Sequence, residues 1–475
     1  MPESETPVRS GVASLVLIAL IGIISTSPNV PLDVSPVLIS GLVMMLFTTA
    51  AHFIQHTLFV DGPPPKVTST TLAPAPAPTP ALLLVRANIL KLSTYRCARD
   101  DYTSGVLLDA NENSLGPSLS PCPSKGKGAS SLALERYPDP HQVELKSAFA
   151  ELRSATIPTA TATATANATF GPLPPRVLTH RNIFAGVGSD EAIDLLIRIF
   201  ASPGPPPRGD SVLITPPTYG MYEVCSDVND VTVLRAPLTA FDFDLDVEVT
   251  VRTALKHASK LVFICSPGNP TAKAIDLDKI TAVATALRDT SIVVVDEAYV
   301  DFSGKQSAVQ LIFDHPNVVV LQTLSKAFGL AGVRCGFAIG EESLIGLMSN
   351  VKAPYNLNSL TSSVARTALS PKSLLKFRSN LKLVLLERDR VAKRLTQLDF
   401  VKRVCESDSN FLLFELEKNV DAERVYKIMA AEKGVVVRFR GNELFCTNCL
   451  RVSVGTKGEN GAFLRSLEEV VKGLK

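Results

Sequence analysis

Between Arg181 and Gly340 the chain alternates short, wholly apolar runs with stretches of helical periodicity. The runs at Val212–Ile214, Leu261–Cys265, Ile292–Val295, Val318–Leu321 and Phe337–Ile339 contain no polar residue. Strands of that kind are covered on both faces. Segments such as Glu191–Phe200 and Leu277–Leu287 carry apolar residues at helical spacing. Strands separated by helices imply an α/β fold, a mostly parallel central sheet sandwiched by helices. Polar groups follow four of the strands directly: Pro216-Pro-Thr-Tyr219, Ser266-Pro-Gly-Asn269, Asp296-Glu-Ala-Tyr299 and Thr323-Leu-Ser-Lys326. In such sheets ligands bind outside the carboxyl ends of the strands. Four polar clusters at four strand ends therefore predict one shared site.

The flanks read differently. A helical stretch at Ser373–Leu398 leads into apolar runs at Phe411–Leu416, Val435–Phe439 and Leu450–Val454, which predicts a smaller α+β domain over residues 371–475. The larger domain is expected over 126–370, with 86–125 forming an N-terminal arm and part of the small domain. Ala155–Thr169 is low in complexity and reads as a surface loop insertion within the larger domain. Residues 61–85 form a proline-rich linker, and 1–60 an apolar extension with stretches at 12–24 and 37–51. Each stretch is shorter than the ~20 residues of a membrane-crossing helix. A membrane hairpin, a targeting segment and an extension without a folded role all stay open for it. His52 and His56 lie four apart, but without the glutamate of a zinc-protease motif they are read as incidental.

Charge and cysteine usage exclude other classes. Lys+Arg at 48 against Asp+Glu at 46 leaves a net charge of +2 in 475 residues, which argues against a nucleic-acid binder. Eight cysteines are too sparse for a disulfide scaffold. Cys446-Thr-Asn-Cys449 lacks a second pair or a nearby histidine to complete a zinc site, so both are expected to be ordinary reduced thiols and no metal is expected.

The run Thr323-Leu-Ser-Lys-Ala-Phe-Gly-Leu-Ala-Gly-Val-Arg-Cys-Gly336 carries the chemistry. A lysine amine can form a Schiff base with an aldehyde cofactor. The hydroxyl of Ser325 and the guanidinium of Arg334 can hold a phosphate. Taken alone, Lys326 could equally be a surface lysine in a loop. As a whole the run resembles the lysine signature of class II, fold-type-I aminotransferases, which use pyridoxal phosphate.

That resemblance assigns expected roles to the other strand ends. Lys326 would bind the cofactor aldehyde and then act as the general base. Asp296 would pair with the ring nitrogen. Asn269 and Tyr299 would bond the phenolate oxygen, and Tyr219 would stack on the ring. Gly186-Val-Gly-Ser189-Asp190 precedes a helix, whose N-terminus suits a phosphate.

Within that family the chain most closely resembles the histidinol-phosphate aminotransferases, from roughly Ile89 to Leu467. The specific features are Asp109-Ala-Asn111-Glu-Asn113, Arg136-Tyr137-Pro-Asp139, Pro217-Thr-Tyr-Gly-Met-Tyr222 and Leu450-Arg451-Val-Ser-Val-Gly-Thr456. The resemblance implies a homodimer, with Tyr137 reaching the cofactor phosphate of the neighbouring subunit. It also implies substrate contacts from Tyr95, Asn111, Arg438 and Arg451. The implied reaction is a ping-pong exchange in which L-glutamate and imidazole acetol phosphate give 2-oxoglutarate and L-histidinol phosphate. An aromatic transaminase, a phosphate-substrate decarboxylase and an anchored scaffold with a dead enzyme domain are the alternatives. Intact Lys326, Asp296 and Arg334 argue against the last. Ala272 stands where the family usually has glycine, and at positive φ it would cost ~1 kcal/mol. A cytoplasmic location follows from the resemblance and the sparse cysteines, with membrane attachment through residues 12–60 left open.

Overall fold

The computed structural model describes residues 80–93, 132–157 and 176–474. The chain divides into 1–76 and 77–475, and every described residue lies in the second unit. The expectations for the apolar extension, the linker up to residue 79, Tyr95, Asn111 and most of 155–169 fall outside the described residues. Among the described residues no helix is long and apolar enough to cross a membrane.

A seven-stranded sheet forms the body of this unit. Its strands are β1 (Ile183–Gly186), β2 (Ser211–Ile214), β3 (Thr232–Arg235), β4 (Leu261–Cys265), β5 (Ile292–Asp296), β6 (Val318–Thr323) and β7 (Gly336–Ile339). They lie in the order β1-β7-β6-β5-β4-β2-β3. All neighbouring pairs are parallel except those made by β7, which runs antiparallel to both β6 and β1. The reason is the connection. Only residues 324–335 join β6 to β7, and they hold no α-helix, whereas a parallel return needs a long crossover. The apolar runs in the sequence thus become strands, but the last of them turns back.

Helices cover both faces. Val143–Ser154 (α1) precedes the sheet, and Gly188–Phe200 (α2), Met221–Val228 (α3), Val247–His257 (α4) and Leu277–Ala286 (α5) fill the crossovers. Two separate cores result. One contains Val262, Val293, Val295 and Val320, and the other Phe263, Val294, Val319 and Leu321. Successive side chains on one strand enter opposite cores, which is why these strands read as continuous apolar runs.

After Glu342–Val351 (α6) and Ser359–Ala368 (α7), the 25-residue helix Pro371–Leu395 (α8) leads to a second, four-stranded sheet. This sheet has the order β10-β11-β9-β8, made of β8 (Val401–Val404), β9 (Phe411–Leu416), β10 (Arg438–Phe439) and β11 (Cys449–Ser453). Ala422–Glu432 (α9) and Lys457–Leu474 (α10) pack on it through Val425, Met429, Phe463 and Leu467. Cys446 and Cys449 are buried free thiols. Arg451 occupies the middle of β11, flanked on either side by the paired strands β10 and β9.

Candidate active site

The carboxyl ends of β1, β2, β4, β5 and β6 open on one side of the large sheet, and a cavity of about 320 Å³ lies there. Asp296, the last residue of β5, forms its floor and is 2% exposed. The Tyr222 hydroxyl donates to its Oδ2 at 2.8 Å, and the Ala298 N–H donates to Oδ1 at 3.1 Å. Burial nevertheless pushes the Asp296 pKa up to about 6, against the pull of those two donors. Tyr222 is held in turn by stacking on Phe263, with ring centroids 4.8 Å apart. The next residue, Glu297, points away, where it accepts from Ser307, the Ala308 N–H and Gln322. Strand alternation thus separates one buried acid for the cavity from one for the scaffold.

Lys326 follows β6 and enters the cavity with its Nζ 5.6 Å from the Tyr299 ring centroid. Burial lowers its pKa, and the positive charge of Arg451 lowers it further. Tyr299 is buried edge-on against Phe411 at 5.1 Å, and burial holds its phenol protonated. Thr323 Oγ1 lies 2.9 Å from Ser325 Oγ and accepts from the Ser325 N–H at 3.1 Å, which fixes the turn that carries the lysine.

A second cluster gathers at the start of α2. Gly188 opens that helix with φ +75°, a conformation that only glycine adopts without strain. Gly336 of β7 passes so close that a Cβ on it would lie 2.3 Å from Gly188 C and Ser189 N. The absent side chain is what allows the helix N-terminus and the Arg334 segment to approach each other. Asp190 accepts from the Tyr219 hydroxyl at 3.0 Å and from Arg334 at 3.4 Å. Burial and the Asp190 charge keep the Tyr219 phenol protonated.

The third side comes from the small sheet. Arg451 of β11 donates to the Asn269 side chain and lies over the Phe411 ring at 5.1 Å. Its cross-strand partner on β10 is Arg438, and Arg440 joins them in the cavity lining.

Ser189, Asp190, Tyr219, Asn269, Asp296, Tyr299, Ser325, Lys326, Arg334, Arg438 and Arg451, all singled out from the sequence, therefore line one cavity. Tyr137 does not line it. It stacks on Tyr355 at 4.6 Å and is 52% exposed. Tyr95 and Asn111 lie outside the described residues. Sequence reasoning missed Tyr222, Thr323 and Arg440. Tyr222 is three residues after Tyr219, one helical turn further into the same motif. Arg440 repeats Arg438 at strand spacing. Ala272 does take positive φ, +65°, fully buried beside Tyr299 and Phe411.

A lysine, a buried carboxylate and a glycine-opened helix N-terminus share this cavity at the strand ends of an α/β sheet, which fits the class of vitamin-B6-dependent fold-type-I transferases. Residues 103–467 match the family model of aminotransferase class I and II. The histidinol-phosphate aminotransferase of Saccharomyces cerevisiae is 44% identical over 396 residues, covering 82% of this chain and 97% of the relative. That of Schizosaccharomyces pombe is 40% identical over 399 residues, again covering 82% and 97%. Among solved structures, the histidinol-phosphate aminotransferase of Sinorhizobium meliloti in complex with pyridoxal-5'-phosphate superposes with a TM-score of 0.62. It is 20% identical and covers 77% of this chain and 90% of that one, a likeness of fold. The chain belongs to the class I and II aminotransferases, in their histidinol-phosphate aminotransferase branch.

Proposed function

We propose that this chain is a histidinol-phosphate transaminase, exchanging an amino group between L-glutamate and imidazole acetol phosphate to give 2-oxoglutarate and L-histidinol phosphate. The observation that carries the reading is the meeting in one cavity of Asp296 and Lys326, from the ends of β5 and β6, with Arg451 from β11 of the second sheet.

The residues present fit pyridoxal phosphate. Asp296 is a buried carboxylate with hydroxyl and N–H partners and, among the described residues, no salt bridge, a site suited to a protonated ring nitrogen. The glycine-opened N-terminus of α2, with Ser189, Ser325 and Arg334, offers N–H, hydroxyl and guanidinium donors to a phosphate. Asn269 and Tyr299 are assigned to the phenolate oxygen and Tyr219 to the ring face. Bound there, the cofactor supplies the electron sink that makes a substrate Cα–H acidic.

The chain's own residues do the rest. Lys326 takes the proton from the substrate Cα, and burial together with the Arg451 charge lowers its pKa, a shift toward the neutral amine that this role needs. Asp296 stays ionised against the ring nitrogen and keeps that nitrogen protonated. Arg451 holds the substrate carboxylate with its planar fork, aimed by its contacts to Asn269 and Phe411. Arg438 assists it. Half-exposed Tyr137 serves the cofactor phosphate of a second copy, so the working unit is a homodimer. Tyr95 and Asn111 complete the substrate side. The enzyme is placed in the cytoplasm, and detergent extraction of the full chain tests whether residues 12–60 attach it to a membrane.

The test is a half-reaction. L-histidinol phosphate alone, added to the full chain loaded with pyridoxal phosphate, is expected to replace the yellow absorbance with that of the aminated cofactor. A cofactor spectrum that responds to L-glutamate but ignores L-histidinol phosphate would overturn the substrate and leave the class standing.

A further inference from the structure

We propose that Arg440 selects the phosphate-bearing substrate, gripping its dianionic phosphate beside Arg451, an inference that rests on the function proposed above. The ladder between β10 and β11 sets the geometry. Arg438 lies directly opposite Arg451, and the Arg440 N–H continues the pairing by donating to the Cys449 carbonyl at 2.9 Å. Side chains two apart on a paired strand share a face, as do those directly opposite. Arg438, Arg440 and Arg451 therefore all reach the cavity, while Phe439 between them packs into the small-sheet core.

Arg440 is poorly compensated there. Its Nη1 makes one long contact, 3.3 Å, to Glu443, and its side chain is 20% exposed. Its Nε is buried with no partner, and so is that of Arg451. The two guanidiniums act on each other: burial lowers the Arg451 pKa, and Arg440 is the strongest charged neighbour pushing it further down. Two like charges held together in a half-closed cavity have an affinity for a multivalent anion.

Geometry decides which anion. A carboxylate is planar and is satisfied by one planar guanidinium fork, which Arg451 provides. A phosphate monoester presents three terminal oxygens that are not coplanar, and it carries about −1.5 to −2 near neutrality, with a second pKa near ~6. One fork leaves an oxygen and most of a charge unmatched, and Arg438, the cross-strand partner of Arg451, is exposed to solvent where Arg440 is largely covered. Arg440, on the same face two positions beyond the partner of Arg451, supplies the second fork. Glu443 serves as the resident counter-ion that the phosphate displaces.

The experiment uses the full-length holoenzyme and measures the two half-reactions separately from the cofactor absorbance. In Arg440→Gln, the ratio of kcat/KM for L-histidinol phosphate to kcat/KM for L-glutamate is expected to fall by about 10-fold or more, the effect of one lost charge-assisted hydrogen bond. The loss appears in KM. Arg440→Lys, which keeps the charge without the fork, recovers part of it. In the wild type the same ratio rises as pH passes through ~6, where the phosphate takes its second charge, and in Arg440→Gln that rise flattens. Equal losses in both half-reactions, or no change in the ratio, would overturn the inference. A wild type that ignores L-histidinol phosphate overturns the proposed function instead, and that result is read before any variant.

Discussion

Tyr222→Phe removes one oxygen atom from beneath the cavity floor and changes the charge balance of Asp296. In the cofactor-free chain the Asp296 carboxyl is held at about 6 instead of its ordinary 3.8. A folded carboxyl that keeps its proton more tightly than the unfolded one favours the folded state at low pH. That benefit disappears as pH rises through the interval from about 4 to about 6. Ionised above it, Asp296 costs the fold ~3 kcal/mol, at ~1.4 kcal/mol per tenfold change in acidity. The Tyr222 hydroxyl, 2.8 Å away, opposes this cost by stabilising the carboxylate. Deleting a hydrogen bond to a charged group costs ~1.5–3 kcal/mol, which carries the Asp296 pKa from about 6 toward ~7–8. Phenylalanine keeps the stacking on Phe263, so packing is preserved. The assay is denaturant unfolding of the cofactor-free chain, variant against wild type, at about pH 5 and pH 8. The stability gap is expected to be ~1 kcal/mol or less at the lower pH and ~2–3 kcal/mol at the higher. Pyridoxal phosphate should narrow the gap at pH 8 by giving the carboxylate a cationic partner. A gap of the same size at both pH values would refute the reasoning, because the hydroxyl would then support packing and not the ionised acid.

Two further substitutions probe the other walls. Gly336→Ala places a methyl 2.3 Å from the backbone at Gly188 and Ser189, so α2 and β7 must separate. Cofactor affinity is expected to fall by ~10-fold or more, checked by titrating the cofactor-free protein, since ~1.4 kcal/mol of lost phosphate contact suffices. Arg451→Ala is expected to raise KM for both amino-group donors while the bound-cofactor absorbance is retained, and loss of the cofactor would sink the assignment. The same substitution removes a cation that lowers the Lys326 pKa, so the pH profile of the proton-transfer step should move to the alkaline side.

The sheet was legible because burial on both faces leaves a local mark. Leu261–Cys265 is apolar throughout and is wholly buried as β4. β3 left no such mark. It is an edge strand, only partly buried, and its Thr232 and Arg235 break the apolar run. β7 carried the right composition, but its antiparallel direction is set by the shortness of the connection before it, which composition does not encode. At the site, motif residues were legible one strand end at a time. The contact between Arg451 and Asn269 spans 182 positions and belongs to tertiary packing alone. Tyr222 and Arg440 were missed for a related reason. Tyr222 acts through Asp296, which it meets across 74 positions, and Arg440 gains its place beside Arg451 only when β10 pairs with β11.

Charge ties these parts together. Among the described residues Lys326, Arg334, Arg438, Arg440 and Arg451 line the cavity against Asp190 and Asp296, in a chain whose net charge is +2. Folding concentrates cations here and gives up stability to do so, as functional sites generally do. The excess has two uses. It favours the anionic groups proposed for cofactor and substrates, and through Arg451 and Arg334 it adds to the burial that lowers the Lys326 pKa. Arg451 contributes to both at once. An Arg451 substitution that weakens anion binding is therefore expected to raise the Lys326 pKa as well. Binding and proton transfer are coupled through one guanidinium, and measurements of KM and of pH profiles on the same variants should move together.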